Sequence, residues 1–93
     1  MRFTWDEKKN IKNIKKHGIK FSTAARVFTD PMRIEKYDVK HSNPFRDERT
    51  IAIGIVDNRL LYVNFTEPDS GTVHIISARK ADKHERRYYY GNR

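Results

Sequence analysis

Two apolar runs flank the dipeptide Asp57-Asn58, and this arrangement restricts the fold more than any other feature of the chain. Residues 49–56 and 59–65 are rich in β-branched and aromatic side chains. Asp and Asn tolerate the positive φ angles that a two-residue hairpin turn demands. A turn there sets Ile55 opposite Leu60 and Ile53 opposite Tyr62 on one face of the ribbon. Ala52 opposite Val63 and Gly54 opposite Leu61 then share the other face. Both faces are largely apolar, so the hairpin is expected at the centre of a sheet with cover on each side.

The flanking segments supply the cover. Arg2-Phe3-Thr4-Trp5 alternates like a short opening strand. Asp6 then suits a helix N-cap, Glu7 complements the positive helix end, and Gly18 is a natural stop. Ile11 and Ile14 form a thin apolar stripe on that helix, with Lys9, Lys12, Asn13 and Lys16 expected on the opposite side. Ser22 can cap a shorter second helix containing Ala24, Ala25, Val27 and Phe28, which Asp30-Pro31 ends. Residues 32–38 alternate loosely, as in a strand near a sheet edge, and 39–47 read as a loop. Beyond the hairpin, Glu67-Pro68-Asp69-Ser70-Gly71 is a turn, and Val73, Ile75 and Ile76 mark a strand that runs directly into a basic helix. Asp82 and Glu85 have capping-box spacing at the start of that helix. Lys83, Arg86, Arg87 and Tyr90 share one helix face, with Ala81, His84, Glu85 and Tyr88 on the side expected to pack inward. The expected fold is α+β: a short N-terminal strand, two helices, a four-stranded mostly antiparallel sheet and a C-terminal basic helix.

Ninety-three residues suit one domain spanning 1–93. Cysteine is absent, which excludes disulfide staples and thiolate metal sites. The first residues lack the apolar stretch of a signal peptide, and the longest apolar run, 51–56, is too short for a bilayer, so a soluble cytoplasmic protein is expected. The net charge of +8 is segregated. Residues 1–20 hold seven Lys and Arg against two acids, residues 79–93 hold six against two, and the middle is nearly neutral. Two basic ends point to a polyanion, nucleic acid above all, although an acidic protein leaves the same footprint.

Several chemistries find no support. The four glycines are scattered, so no phosphate loop is present, and the four histidines lack paired zinc spacing. Neither Ser42 nor Ser77 sits in a nucleophile elbow. Cleavage of the RNA backbone remains. It needs cations for the phosphorane, a base for the 2′-hydroxyl and an acid for the leaving oxygen. Arg79, Arg86 and Arg87 suit the first task, and His41 or His17 the proton transfers. Lys9, Lys12, Lys16, Arg49, Lys80, Lys83 and Arg87 are candidate RNA-backbone contacts. Each has a plainer alternative. Arg79 can pair with a carboxylate such as Glu48, Arg86 and Arg87 can be solvated, and His17 can contact helix carbonyls. No metal or cofactor is expected.

Trp5-Asp6, Lys9, Asn13, Lys16-His17-Gly18, Phe21, Ala24, Val27-Phe28, Asp30-Pro31, Asp38, Glu48-Arg49, Gly54, Arg59, Thr66, Ile75-Ile76-Ser77-Ala78-Arg79-Lys80-Ala81, Glu85-Arg86 and Tyr88 form an ordered pattern over nearly the whole chain. In this pattern the sequence resembles the BrnT family, toxins of bacterial type II toxin–antitoxin pairs within the RelE-like ribonuclease superfamily. The resemblance implies a RelE-like fold and a small endoribonuclease that arrests growth by cutting RNA; with the cations and histidines above, metal-independent attack by the 2′-hydroxyl is the reaction expected. It also implies neutralisation by a BrnA-type ribbon-helix-helix antitoxin, commonly in a heterotetramer that reaches operator DNA through the antitoxin. His74 stands where the family usually has arginine, and Glu7 where it often has proline. The rival reading is a non-catalytic module that binds the antitoxin or nucleic acid and acts as co-repressor.

Overall fold

In a computed structural model of the chain, residues 1–43 and 48–91 are described. The loop expected over 39–47 therefore lies partly outside the described residues. The elements are β1 (Arg2–Trp5), α1 (Glu7–His17), α2 (Phe21–Ala25) continued by a 3₁₀ turn (Arg26–Thr29), β2 (Ile34–Tyr37), β3 (Thr50–Val56), β4 (Arg59–Asp69), β5 (Thr72–Lys80) and α3 (Lys83–Gly91).

The central hairpin forms as its sequence dictates. β3 and β4 pair with Ile55 opposite Leu60, Ile53 opposite Tyr62, Gly54 opposite Leu61 and Ala52 opposite Val63. Asp57 and Asn58 take φ angles of 51° and 65°, so both turn residues are left-handed. The strand order is β1-β5-β4-β3-β2, which makes five strands where four plus a separate short strand were expected. β1 joins the sheet by pairing parallel to β5, Arg2 with Thr72 through Trp5 with Ile75. β4 also runs to Asp69, through the segment expected to turn, with register shifts after Asn64 and after Thr66.

Cover differs on the two faces. On one, Phe21, Ala24 and Val27 pack with Ala52, Leu61, Val63, Phe65, Ile75 and Ala78. Gly54 lets this layer close, since a Cβ there would stand 2.9 Å from Val27 Cγ1 and 3.3 Å from Asp30 Oδ2. On the other, Tyr89 of α3 packs with Ile51, Ile53 and Leu60. The buried tyrosine of α3 is thus Tyr89, while Tyr88 is exposed. The inward face runs Ala81, Glu85, Tyr89, one position round from the expected set.

Helix ends follow the sequence at α1 and α3. Asp6 accepts from Lys8 N and Lys9 N at 2.8 and 3.2 Å, and Gly18 closes α1 at φ 71°. In α3, Glu85 N donates to Asp82 Oδ1 (2.8 Å) and Asp82 N to Glu85 Oε1 (2.9 Å). Each such cap is worth about 1 kcal/mol. α2 departs from expectation. Its N-cap position is Lys20, and Asn10 of α1 accepts from Phe21 N at 2.9 Å in place of a Ser22 cap.

The largest departure is the orientation of α1. Ile11 is exposed and Asn13 is buried, each opposite to its expected side, while Ile14 is half-buried and Lys9, Lys12 and Lys16 are exposed as expected. The reason is the edge of β5. β1 pairs only as far as Ile75, so Ala78 lacks a strand neighbour on that side. Asn13 takes the neighbour's place, donating from Nδ2 to Ala78 O at 2.8 Å and accepting from Ala78 N at 3.1 Å. The same Nδ2 donates to Ile19 O at 2.9 Å. A buried backbone pair left open costs more than an exposed isoleucine. Asp30 does similar work at β3 beyond the end of β2, accepting from Ile55 N at 2.9 Å and Tyr89 Oη–H at 2.6 Å.

Candidate active site

Residues two apart on a strand share a face, and β4 and β5 place two cross-strand pairs side by side: Tyr62 with Arg79 and Asn64 with Ser77. α3 covers this face over β3 and the start of β4, and the remainder stays open. Together with His41 and Arg49, these four side chains line a cleft of about 210 Å³.

His41 is held over the cleft from behind. Asp38 is only 4% exposed. Its Oδ2 accepts from His41 Nδ1 at 2.9 Å and from Asn64 Nδ2 at 2.7 Å, and its Oδ1 accepts from His41 N at 3.2 Å. Backbone contacts fix the loop to the sheet: Asp38 N donates to Arg49 O at 2.8 Å, and Ser42 Oγ accepts from Arg49 N and donates to Arg49 O. Burial alone would push the Asp38 carboxyl up, but hydrogen bonds from Asn64 and His41 outweigh it and hold the group below the ordinary aspartate value. Asp38 is therefore an anion, and the shared proton sits on His41 Nδ1.

The same carboxylate orients Asn64. With Nδ2 bound to Asp38, the amide cannot flip without setting oxygen against oxygen, and Asn64 Oδ1 has no partner among the described residues. One buried carboxylate oxygen thus fixes two side chains that line the cleft, His41 and Asn64.

Arg79 is also fixed. Its Nη1 and Nη2 each donate to Glu85 at 2.8 Å, and Nη1 donates to Lys80 O at 3.1 Å. The guanidinium lies 3.9 Å from the centre of the Tyr62 ring. Its carboxylate partner is therefore Glu85 of the α3 capping box, where Glu48 was the expected candidate. Glu85 raises the Arg79 pKa beyond its usual value against the effect of burial. Nε–H and one Nη2–H remain to be offered as preset donors. Burial and the nearby Asp38 charge raise the Tyr62 phenol, which stays protonated at neutral pH.

A second cleft of about 200 Å³ lies along α1, lined by Lys9, Lys12, Lys16, His17, Asn13, Ile76 and Ser77. Ser77 lines both clefts. The sequence-derived candidates thus divide three ways. His41, Arg49 and Arg79 meet in the first cleft, while His17 and the α1 lysines meet in the second. Lys80, Lys83, Arg86 and Arg87 are exposed and line neither, with the Arg86 guanidinium 5.8 Å from the Tyr90 ring. His74 also lies outside both clefts, its Nδ1 2.8 Å from Thr4 Oγ1.

Tyr62 and Asn64 were not among the candidates drawn from the sequence, and Asp38 and Ser77 entered as positions of the family pattern, without a role. A signal for them exists. Asn64 is a carboxamide between Val63 and Phe65 in an otherwise apolar strand, and Asp38 stands three residues before His41. Among the described residues, no three His, Asp or Glu side chains converge as a metal-ligand group would.

Comparison with known proteins gives two findings. Residues 5–85 match the family described as "Ribonuclease toxin, BrnT, of type II toxin-antitoxin system". The fold is similar to the crystal structure of the Brucella abortus ribonuclease toxin, BrnT, with a TM-score of 0.66 and 28% sequence identity over 89% of this chain and 99% of that one. No match is found among curated proteins.

Proposed function

The chain belongs to the BrnT family of ribonuclease toxins of type II toxin–antitoxin systems, and from that membership we propose that it is an endoribonuclease whose chemistry takes place in the cleft between His41 and Arg79. One observation carries this reading: the Asp38 carboxylate holds His41 and Asn64 in a cleft that arginines 49 and 79 also line. An RNA diester presents the matching groups, a 2′-hydroxyl donor and an anionic phosphate.

In the proposed reaction the 2′-oxygen attacks phosphorus and His41 Nε2 takes its proton. Arg79, with Arg49, offers N–H donors to the phosphorane as negative charge builds on its oxygens. The P–O5′ bond breaks, the leaving oxygen takes the Tyr62 proton, and the phenolate regains a proton from solvent as His41 returns its own to solvent. The products are a 2′,3′-cyclic phosphate and a 5′-hydroxyl end. Every proton has a side-chain donor or acceptor, so the proposed route is metal-independent. Lys80, Lys83, Arg86 and Arg87 then serve as outer contacts to the RNA backbone, and His17 belongs with the α1 lysines.

The same proposal covers the biological setting, with residues 1–93 acting as one toxin domain. The partner is a BrnA-like ribbon-helix-helix antitoxin, assembled with the toxin as a heterotetramer that reaches operator DNA through the antitoxin, in the cytoplasm. No helix among the described residues is long and apolar enough to cross a membrane.

The test is cleavage of a defined RNA by purified protein in EDTA, with product ends mapped, for wild type, His41→Ala and Arg79→Ala. Cyclic phosphate ends from wild type, and a loss of about 10²-fold or more in each variant, are expected. Full activity in both variants refutes the assignment, and absence of cleavage by folded wild type leaves the non-catalytic co-repressor.

A further inference from the structure

The second cleft holds two features that the cleavage chemistry does not use. The first is a row of unpaired cations. Lys9, Lys12 and Lys16 lie at i, i+3 and i+7 on α1, all are exposed, and none pairs with a carboxylate among the described residues. The second is an apolar side chain set among them. The register between β4 and β5 skips Ile76: Asn64 pairs with Ser77 and Phe65 with Ile75. Ile76 is thus the extra residue of a β-bulge, and its side chain lines the lysine cleft.

Ammonium groups around an isoleucine suit a ligand with an anionic part and a flat apolar part. A nucleotide has both: its phosphate reaches the lysines and its base lies against Ile76 and the lysine stems. Ser77 lines this cleft and the first one. Ser77 and Arg79 are two residues apart on β5, roughly 7 Å at ~3.3 Å per residue, a span comparable to that between successive phosphates of an extended single strand.

We infer that the lysine cleft is a second nucleotide subsite, which takes the nucleotide next to the scissile phosphate, with its phosphate on Lys9, Lys12 and Lys16 and its base on Ile76. This rests on the reading of the first cleft as the site of cleavage. The substrate class it specifies is single-stranded RNA extending beyond the cut, because a base paired in a duplex cannot turn its face to Ile76.

The experiment uses labelled 2′-O-methyl oligouridylates of two and of four nucleotides, which bind but cannot be cut, followed by fluorescence anisotropy over a range of salt. Wild type binds the longer probe roughly tenfold more tightly or better, with a steeper salt dependence. In the variant Lys9→Gln/Lys12→Gln/Lys16→Gln that advantage collapses, and the slope falls by roughly 0.7 for each phosphate no longer neutralised. Ile76→Ser weakens the four-nucleotide probe but not the same backbone lacking its bases. A wild type indifferent to probe length, or a lysine variant that keeps the full advantage, overturns the subsite, and equal losses on both backbones for Ile76→Ser remove the base contact. The two readings fail separately. A protein that shows the length step yet leaves RNA uncut loses only the cleavage assignment, and one that cuts RNA but binds both probes alike loses only the subsite.

Discussion

Replacing Asp38 by asparagine tests the site with the smallest change in shape. Asp38 accepts three hydrogen bonds, from His41 Nδ1 and Asn64 Nδ2 on one oxygen and from His41 N on the other. Asparagine offers one oxygen and one NH₂, so it cannot meet all three donors. If its oxygen faces the two side chains, its NH₂ opposes the His41 N–H and the anion that supports the imidazolium is gone. If it turns over, its NH₂ faces His41 Nδ1, which must then accept, and the proton moves to Nε2 where the base is needed. In the proposed mechanism either orientation removes most of the proton transfer, a contribution of about 10²–10⁴ in rate, or about 3–5 kcal/mol at 1.36 kcal/mol per decade. The assay is single-turnover cleavage of a fluorescent RNA by Asp38→Asn, His41→Ala and the double variant, with circular dichroism to verify folding. Because both residues act through one nitrogen, the double variant is expected to be no slower than His41→Ala alone. A folded Asp38→Asn that keeps kcat within about threefold of wild type, far inside that range, would refute the role given to the carboxylate.

Two further outcomes concern stability. Asn13→Ala leaves Ala78 N–H, Ala78 C=O and Ile19 C=O without their partner; at ~1–3 kcal/mol per buried group, with water able to enter from the lysine cleft, a loss of about 2–4 kcal/mol is expected. A urea midpoint followed by Trp5 fluorescence checks it, and a loss below about 0.5 kcal/mol contradicts the strand-neighbour role. Asp38 also sets an acid dependence. Its folded pKa lies below the ordinary aspartate value, so the stability it lends is complete above that value, roughly 3.9, and is lost as pH falls through the lower folded value. Urea midpoints of wild type should therefore fall more steeply than those of Asp38→Asn as pH drops below about 4, and parallel curves would exclude the linkage.

The parts of the fold legible in the sequence were those set by local chemistry. The Asp57-Asn58 turn determined the whole β3–β4 register, and Asp82 with Glu85 marked the start of α3. The parts that misled depend on distant backbone. Ile11 and Ile14 form an amphipathic stripe, yet α1 turned so that Asn13 met Ala78, 65 residues away. The parallel pairing of β1 with β5 likewise has no local mark. The site divides in the same way. Arg79, Arg49 and His41 stood out as cations and a histidine, whereas Asp38, at the end of the expected edge strand, was given no role because its value comes from burial. Asn64 and Tyr62 were read only as strand residues, although the hairpin register already gave Tyr62 the face it occupies and, with strand alternation, gave Asn64 the same one.

The pairing of β1 with β5 also bears on when the fold can close. Residues 2–5 wait for residues 72–75, and Asn13 waits for Ala78. Arg79, in turn, is oriented by Glu85. During synthesis the N-terminal two-thirds emerges first, yet neither its opening strand nor the wall of its cleft has anything to pair with. Loops of this span close slowly and only once both ends exist. The order of translation thus leaves α1 and the segment carrying His41 without the strand that completes both clefts until β5 has emerged.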